Sequence, residues 1–259
     1  MREALALARS LDHPFSMTYA CHFAAGFHVW RGEREAVEEL EEEALAYSTE
    51  HGFRLFATMG AIHRGWVLSR KGQVEEALAQ MREGLAALLD IGLQLRRPAF
   101  LALVAEVCEG IGEPGEGLAA IAEALAAGGH TEQRYWDAEL HRLKGTLTLQ
   151  SEARRGGGTG TWRPGHRSRP AERRSAAPGA GDAEACLLEA IQIAQRQRAK
   201  WLELRAATSL GRLWANTGKA SEAHALLSSI YGGFTEGLDT ADLRAANSLL
   251  EELARRAGA

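Results

Sequence analysis

Nine histidines are the side chains in this sequence best suited to catalysis or metal binding, but their spacing indicates neither. No two of them lie four residues apart with a glutamate after the first, the arrangement that places two imidazoles of one helix around a zinc ion. His22 and His28 are six residues apart. His63 lies three residues before Trp66, where it could contact a ligand or pack between helices. We therefore expect no bound metal ion and no cofactor.

Two glycine-containing segments have part of the sequence of a phosphate-binding loop. In the first, Thr217 to Ser221, the glycine required five residues before Gly218 is replaced by Leu213. In the second, residues 156–160, neither a strand nor a helix flanks the glycines to direct backbone amides toward a phosphate. The first segment is interpreted as a turn between helices, and neither segment is expected to bind a nucleotide.

Two acidic clusters could hold a cation or attract a basic partner. Five glutamates lie between positions 38 and 43, and a solvent-facing side of a helix is the simpler interpretation of such a run. Asp239 or Thr240 would cap the apolar helical segment that follows, and Asp242 would complement the dipole of that helix. Since no serine or cysteine has a neighbouring group that would activate it, we expect no catalytic residues and no enzymatic activity.

The three cysteines, Cys21, Cys108 and Cys186, lie singly among apolar residues, which is typical of thiols that only pack in a core. The longest apolar run, Ala99 to Ala105, is far shorter than the ~20 residues that a membrane-spanning helix needs. The first residues lack the long apolar core and cleavage site of a secretory signal. We therefore expect a cytoplasmic protein that does not cross a membrane.

A repeat of forty residues organises the chain. Two markers have this spacing: the glycines Gly32, Gly72 and Gly112, and the glutamates Glu43, Glu83 and Glu123, each followed by a small and an apolar residue. Both markers return with the same surplus of 26 residues, at Gly218 and Glu189, which places one insertion between residues 124 and 189. Repeats of this length bury their apolar faces by stacking. The sequence predicts an all-α fold, a right-handed α-solenoid of antiparallel helix pairs.

The composition and the spacing of apolar residues predict the helices of these pairs. Leucine, alanine, glutamate and arginine dominate, and β-branched residues are scarce. The predicted helices lie at about 1–12, 15–30, 33–49, 53–70, 73–91, 97–111, 114–128, 135–150, 182–197, 201–216, 220–231 and 239–256. The first of them lacks the other helix of its pair, so residues 4–11 should expose an apolar face. The last should cover the open end of the array.

Residues 155–181 interrupt the repeats. With seven glycines, six arginines and Trp162 as the sole aromatic residue, this segment cannot build a core. It could be an arginine-rich arm that contacts nucleic acid or an acidic partner, or a neutral flexible loop, and the unchanged register on both sides favours the loop. We predict helical repeats over 1–154 and 182–259. The net charge of -4 leaves these repeats acidic, so they are not expected to bind nucleic acid.

The helix pairs resemble tetratricopeptide-type repeats, with forty residues in place of the usual thirty-four. Leu202 to Leu210, Tyr231 to Gly237 and Asp239 to Leu243 resemble the C-terminal end of large bacterial proteins. In those proteins an adenylate/guanylate cyclase or transcriptional-activator domain and an AAA-type or STAND-type ATPase domain precede the repeats. The resemblance implies a sensor or assembly arm. The nucleotide-binding and cyclase residues of the family have no counterparts in this sequence.

Two functions follow as hypotheses. The first is a non-catalytic scaffold for signal transduction, which binds a protein partner or the preceding ATPase or cyclase domains. The second is a sensor that binds a small-molecule effector in a groove lined by the first helix of each pair. The candidate groove residues are Tyr19, Trp30, His63, Trp66, Trp136 and Trp214. Packing between helices would also explain these aromatic side chains.

Overall fold

The computed structural model of this chain describes residues 2–131, 133–155 and 180–257. Within these ranges the chain forms twelve α-helices and no β-strand, which confirms the predicted all-α fold class. The helices are α1 (Arg2–Leu11), α2 (Pro14–Arg31), α3 (Arg34–His51), α4 (Arg54–Arg70), α5 (Val74–Asp90), α6 (Arg97–Ile111), α7 (Pro114–Thr131), α8 (Asp137–Arg155), α9 (Ala180–Arg196), α10 (Lys200–Asn216), α11 (Ala220–Tyr231) and α12 (Ala241–Ala257). None of the helices in these ranges combines the length and apolar character needed to cross a membrane.

The helix bounds agree with the predicted ones to within a few residues. The clearest difference lies at the end of α8, which continues to Arg155 where the prediction ended at 150. Glutamate, alanine and arginine in this last segment are good helix formers, so the helix continues past its apolar stripe. The predicted insertion, residues 155–181, is described only at positions 155, 180 and 181, and its role stays a prediction.

The turns after most helices contain one residue in the left-handed conformation. These residues are Asp12, Gly52, Gly92 and Arg198 after α1, α3, α5 and α9, and Gly32, Gly72, Gly112 and Gly218 after α2, α4, α6 and α10. After each of these residues except Asp12, the backbone amide of the following residue donates a hydrogen bond. It donates to the carbonyl five residues before that following residue, at 2.9 to 3.0 Å. This hydrogen bond satisfies a helix-end carbonyl, and glycine favours the conformation because it has no β-carbon.

The structure contains two compact units, of which the first spans Met1–Val107. In this unit α2 packs against α3, α3 against α4, and α4 against α5. Helices α4 and α5 approach closely at Gly65, where an added β-carbon would overlap Met81 and lie 2.9 Å from the Ala77 carbonyl oxygen. The largest fully buried side chains between these helices belong to Ile62, Trp66, Met81 and Leu88.

Helix α1 exposes apolar side chains, as the sequence predicts for residues 4–11. Leu7 is 60% exposed and Leu11 is 58% exposed, whereas Ala8 is buried. Helix α1 packs against α2 along one side. Its two exposed leucines therefore form an apolar surface on the first unit.

The second unit spans Cys108–Ala259. Helix α8 packs against α9, α10 packs against both α9 and α11, and α12 packs against α10 and α11. The core of this unit includes Leu187, Leu204, Leu210 and Leu227, all fully buried. Helix α12 contributes the buried residues Leu243, Ala246, Leu249 and Leu253. Its proposed role in covering the open end of the array stays a prediction.

Replacing Gly145 with alanine is expected to destabilise the second unit. The added β-carbon would lie 2.8 Å from Leu187 Cγ and 3.0 Å from the Ala183 carbonyl oxygen. Overpacking of this kind costs roughly 1–3 kcal/mol, so the melting temperature should fall by several degrees. Gly115→Ala is the matched control, because nothing lies within 4 Å of a β-carbon added there. Thermal melts followed by circular dichroism would compare the variants, and equal melting temperatures would contradict the close packing of α8 on α9.

Candidate functional site

Glu41 lies in the core of the first unit, on the buried face of α3 with Val37 and Ala44. Its side chain is 1% exposed, whereas the neighbouring Glu39 and Glu42 are exposed. The interpretation of the whole acidic run as a solvated face was therefore wrong for this residue. Positions three or four residues apart share a face of a helix, so Glu41 points inward with the apolar stripe. A buried carboxylate costs several kcal/mol unless other groups compensate its charge.

Two histidines from neighbouring helices compensate Glu41. His22 Nδ1 in α2 lies 3.0 Å from Glu41 Oε1, and His63 Nδ1 in α4 lies 2.5 Å from the same oxygen. Because an ionised carboxylate only accepts hydrogen bonds, both Nδ1 atoms donate to it. The two imidazole rings are stacked, with centroids 4.8 Å apart and planes at 11°. We call His22, Glu41 and His63 the His–Glu–His cluster.

Two glycines give the His–Glu–His cluster its space. A β-carbon on Gly60 in α4 would lie 2.5 Å from Glu41 Oε2, so a larger residue there would displace the carboxylate. A β-carbon on Gly26 in α2 would lie 3.4 Å from His63 Cε1 and 3.4 Å from Arg96 Nη2. The helices that carry the cluster thus have no side chain where the polar groups converge.

Arg96 places a positive charge beside His63. Its guanidinium carbon lies 4.9 Å from the centre of the Phe23 ring and 5.3 Å from that of Phe100. The Phe100 ring also meets the His63 ring edge to face, with centroids 5.7 Å apart. Cation–π contacts of this kind hold an arginine against aromatic faces. The positive charge of Arg96 and the negative charge of Glu41 therefore both act on His63.

The surroundings of the His–Glu–His cluster set its protonation. Burial raises the pKa of Glu41, but the contacts with His63 and His22 outweigh burial and bring the pKa down to about 2. Burial lowers the pKa of His63 below its usual range. The proximity of His22 and Arg96 lowers this pKa further, whereas the contact with Glu41 raises it by less than the other effects lower it. At neutral pH the cluster therefore holds an ionised carboxylate and a neutral His63.

The chemistry open to this site is ligation or proton sharing. One ligand atom from each of His22, Glu41 and His63 can be chosen so that all three lie within 4.8 Å of one another. The thiol nearest in sequence, Cys21, is inert, because burial and the proximity of Glu43 raise its pKa to about 12. Its burial agrees with the packing role predicted for the cysteines.

A second buried polar group lies in the second unit, where Arg142 connects two carboxylates. Its Nε donates to Glu139 Oε1 at 3.0 Å, and its Nη2 donates to Glu109 Oε2 at 3.3 Å. Arg205 Nη2 lies 3.1 Å from the same Glu139 oxygen. Burial raises the pKa of Glu139, but Arg142 and Arg205 outweigh it and hold the pKa below its usual value. This ion network joins α8 to α10 and to the last residues of α6.

A pocket of about 430 Å³ also lies in the second unit, a volume that suits a small ligand. Its lining combines charged and apolar side chains from Leu125, Gly129, Arg134, Asp137, His141, Glu189, Ile193, Arg196 and Gln197. Burial raises the pKa of Asp137 and lowers that of His141. None of the six predicted groove residues lines this pocket. The effector-binding hypothesis therefore stays a prediction.

The predicted groove residues of the first unit occupy different surroundings. Tyr19 is 49% exposed on α2, with its ring centroid 4.4 Å from that of Phe23. Trp30 is half-buried near the end of the same helix. Trp66 is fully buried in α4. Of the six predicted residues, only His63 belongs to the His–Glu–His cluster.

The predicted groove residues of the second unit are half-buried. Trp136 lies in the turn before α8. Trp214 lies on α10, where its Nε1 donates to Glu184 Oε1 at 2.7 Å and Lys219 Nζ lies 5.5 Å from the ring centre. Asp242 lies in the first turn of α12, as predicted, and also accepts a hydrogen bond from Trp201 Nε1 at 2.6 Å.

Sequence spacing did not reveal His22 and Glu41 as a site. Nineteen residues separate His22 from Glu41, and 22 separate Glu41 from His63, so no local motif joins them. The residues forty and eighty positions later in the sequence contain the missing signal. Forty residues after Glu41 lies Met81, and forty further lies Ile121, both of them buried and apolar. Glu41 is thus charged where the residues forty and eighty positions later are apolar.

Comparison with known proteins gives a partial similarity and no family. No protein-family model matches the chain. A stretch of 151 residues, 58% of the chain, is 23% identical to an uncharacterized protein of Rhizobium meliloti (strain 1021). This stretch covers 15% of the length of that relative. The similarity assigns no activity to the chain.

Glu139→Gln is expected to destabilise the protein by about 3–5 kcal/mol at neutral pH, because Arg142 and Arg205 would lose a buried counter-charge. Since the pKa of Glu139 is lowered in the folded state, its contribution is present above the unfolded pKa and is lost as the pH falls through the folded pKa. The difference between wild type and variant should therefore shrink in acid. Urea unfolding at a series of pH values would measure it.

The matched control is Glu113→Gln, which removes a carboxylate that also pairs with an arginine, Arg154, at 2.9 Å. Its side chain is 53% exposed, so solvent screens the pair and the variant should unfold like wild type. Equal effects of the two substitutions would contradict the role given to the buried network.

Proposed function

We propose that this chain is a non-catalytic, tetratricopeptide-like scaffold for protein interaction, built as a right-handed α-solenoid with a period of about forty residues. The recurrence of one core position supports this proposal. Met81 and Ile121 lie forty residues apart, Leu187 follows after forty plus the surplus of 26, and Leu227 lies forty further. All four side chains are buried, at 0% or 1% exposure. Equivalent positions in successive helix pairs thus have equivalent surroundings.

The turns give independent support for the same period. Left-handed residues at Asp12, Gly52 and Gly92 are forty residues apart, as are those at Gly32, Gly72 and Gly112. Each set follows one of the two helix types of a pair. A chain that repeats both its turns and its core positions presents a long surface of similar elements, which suits recognition better than catalysis.

An exposed aromatic row on α2 is the surface that we assign to a protein partner. Phe15 is 47% exposed, Tyr19 49% and Phe27 45%, at spacings of four and eight residues that place them on one side of the helix. Aromatic residues with large exposed area are enriched at the centres of protein interfaces. The partner of this surface is proposed to be a protein segment with apolar side chains.

The wider proposal is that the chain serves as the cytoplasmic regulatory or sensor arm of a bacterial signalling ATPase or cyclase. The resemblance of residues 202–243 to the C-terminal repeats of such proteins supports it. The similar Rhizobium meliloti protein is also much longer than the matched stretch, which covers 15% of it. In this proposal, partner binding by the repeats controls the domains that precede them.

Inserting a second copy of residues 53–92 after Gly92 adds one whole proposed repeat, so the protein should stay folded with an unchanged helix signal per residue. A duplication of residues 63–92 adds thirty residues and breaks the register, and it should lower both helix content and melting temperature. Far-ultraviolet circular dichroism with thermal melting would compare the two proteins. Equal behaviour of the two insertions would contradict a period of forty.

An antibody against residues 200–259 would test whether the scaffold is an arm of a larger protein. Immunoblotting of native host lysate should detect a product much larger than the 28.0 kDa of this chain. Lysate of a strain that lacks the gene is the control for specificity. A band near 28.0 kDa would instead support a free-standing scaffold.

A further inference from the structure

The three polar positions of the His–Glu–His cluster are apolar in the next proposed helix pair. Forty residues after His22, Glu41 and His63 lie Ile62, Met81 and Leu103, whose side chains are 0%, 0% and 1% exposed. The same fold therefore packs these positions with hydrocarbon elsewhere in this chain. A buried carboxylate and two imidazoles stabilise a core less well than such a packing, so their presence points to a ligand.

We propose that His22, Glu41 and His63 bind a divalent transition-metal ion, with Zn²⁺ as the representative ligand. Two imidazole nitrogens and one carboxylate oxygen are a donor set that zinc and related ions use in proteins. The three groups come from three helices, α2, α3 and α4, and one ligand atom from each lies within 4.8 Å of the other two.

An unused ring nitrogen supports the proposal independently. His22 is 0% exposed, and its Nε2 has no hydrogen-bond partner among the residues that the structure describes. A buried polar atom without a partner costs roughly 1–3 kcal/mol. His22 can therefore offer a metal ion either Nδ1, which faces Glu41, or Nε2. Coordination through Nε2 would leave the Nδ1–H bond to Glu41 in place, a common arrangement of metal-binding histidines.

Binding of an ion would separate two of the ligand atoms. The 2.5 Å between His63 Nδ1 and Glu41 Oε1 is a hydrogen-bond distance, whereas zinc bonds of about 2.1 Å in a tetrahedron separate the ligand atoms by roughly 3.4 Å. These two atoms must therefore move apart by about 1 Å. Glu41 Oε2 and His63 Cε1 lie against Gly60 and Gly26, which have no side chains. The nitrogen-rich donor set favours Zn²⁺, Co²⁺ or Ni²⁺ over Ca²⁺ and Mg²⁺.

The test uses the full chain, produced in zinc-supplemented medium and freed of loosely bound ions by gel filtration. Plasma mass spectrometry should find close to one zinc per chain. The matched variant combines His22→Ile, Glu41→Met and His63→Leu, the residues that the next helix pair has at these positions, and it should fold but hold no zinc. Because this variant retains the surface histidines, it also controls for adventitious binding.

Cobalt provides a readout of the ligands themselves. Wild-type protein refolded with Co²⁺ should show the visible absorption of a four- or five-coordinate ion with nitrogen and oxygen ligands, together with a higher melting temperature. The variant should show neither change. The proposal would be overturned if the wild-type protein contained no zinc and gained no stability from Zn²⁺, Co²⁺ or Ni²⁺. It would also be overturned if wild type and a folded variant had equal metal content. Either result would leave the cluster as a proton-sharing group of the core.

Discussion

Close approach of the two helices in a pair is the constraint on which the rest of this structure depends. At Gly65 and at Gly145 the first helix lacks a side chain, and Met81 or Leu187 from the second helix fills the space. An ordinary residue at either glycine would overlap its partner side chain or a backbone carbonyl oxygen. Met81 and Leu187 are therefore fully buried, each against the helix that lacks a side chain.

Glu41 is likewise buried on its helix, α3, and this explains why its surroundings are polar. A side chain that the helix packing forces inward cannot reach water, so the carboxylate needs hydrogen-bond donors from the adjoining helices. His22 and His63 supply them from α2 and α4. The glycines near the carboxylate and near His63 follow from the same requirement, since the polar groups need the volume that side chains would otherwise take.

The sequence predicted the helices well and the site poorly, for physical reasons. Helix bounds depend on local spacing, capping glycines and composition, which one sequence contains in full. The prediction of aromatic groove residues rests on side-chain size and helix type, which do not distinguish the exposed Tyr19 from the fully buried Trp66. The His–Glu–His cluster arises from packing between three helices, and the exposed glutamates around Glu41 concealed it. The apolar residues forty positions after His22, Glu41 and His63 were the signal that could have revealed it.

The pairing of helices that are neighbours in sequence has a consequence for how the chain folds. Within each unit the principal contacts join consecutive helices, such as α2 with α3, α4 with α5, and α10 with α11. Such contacts close short stretches of chain and lose little conformational entropy before packing stabilises them. Each helix pair can thus form early and independently of the others. Folding can begin at several places along the chain and spread from pair to pair.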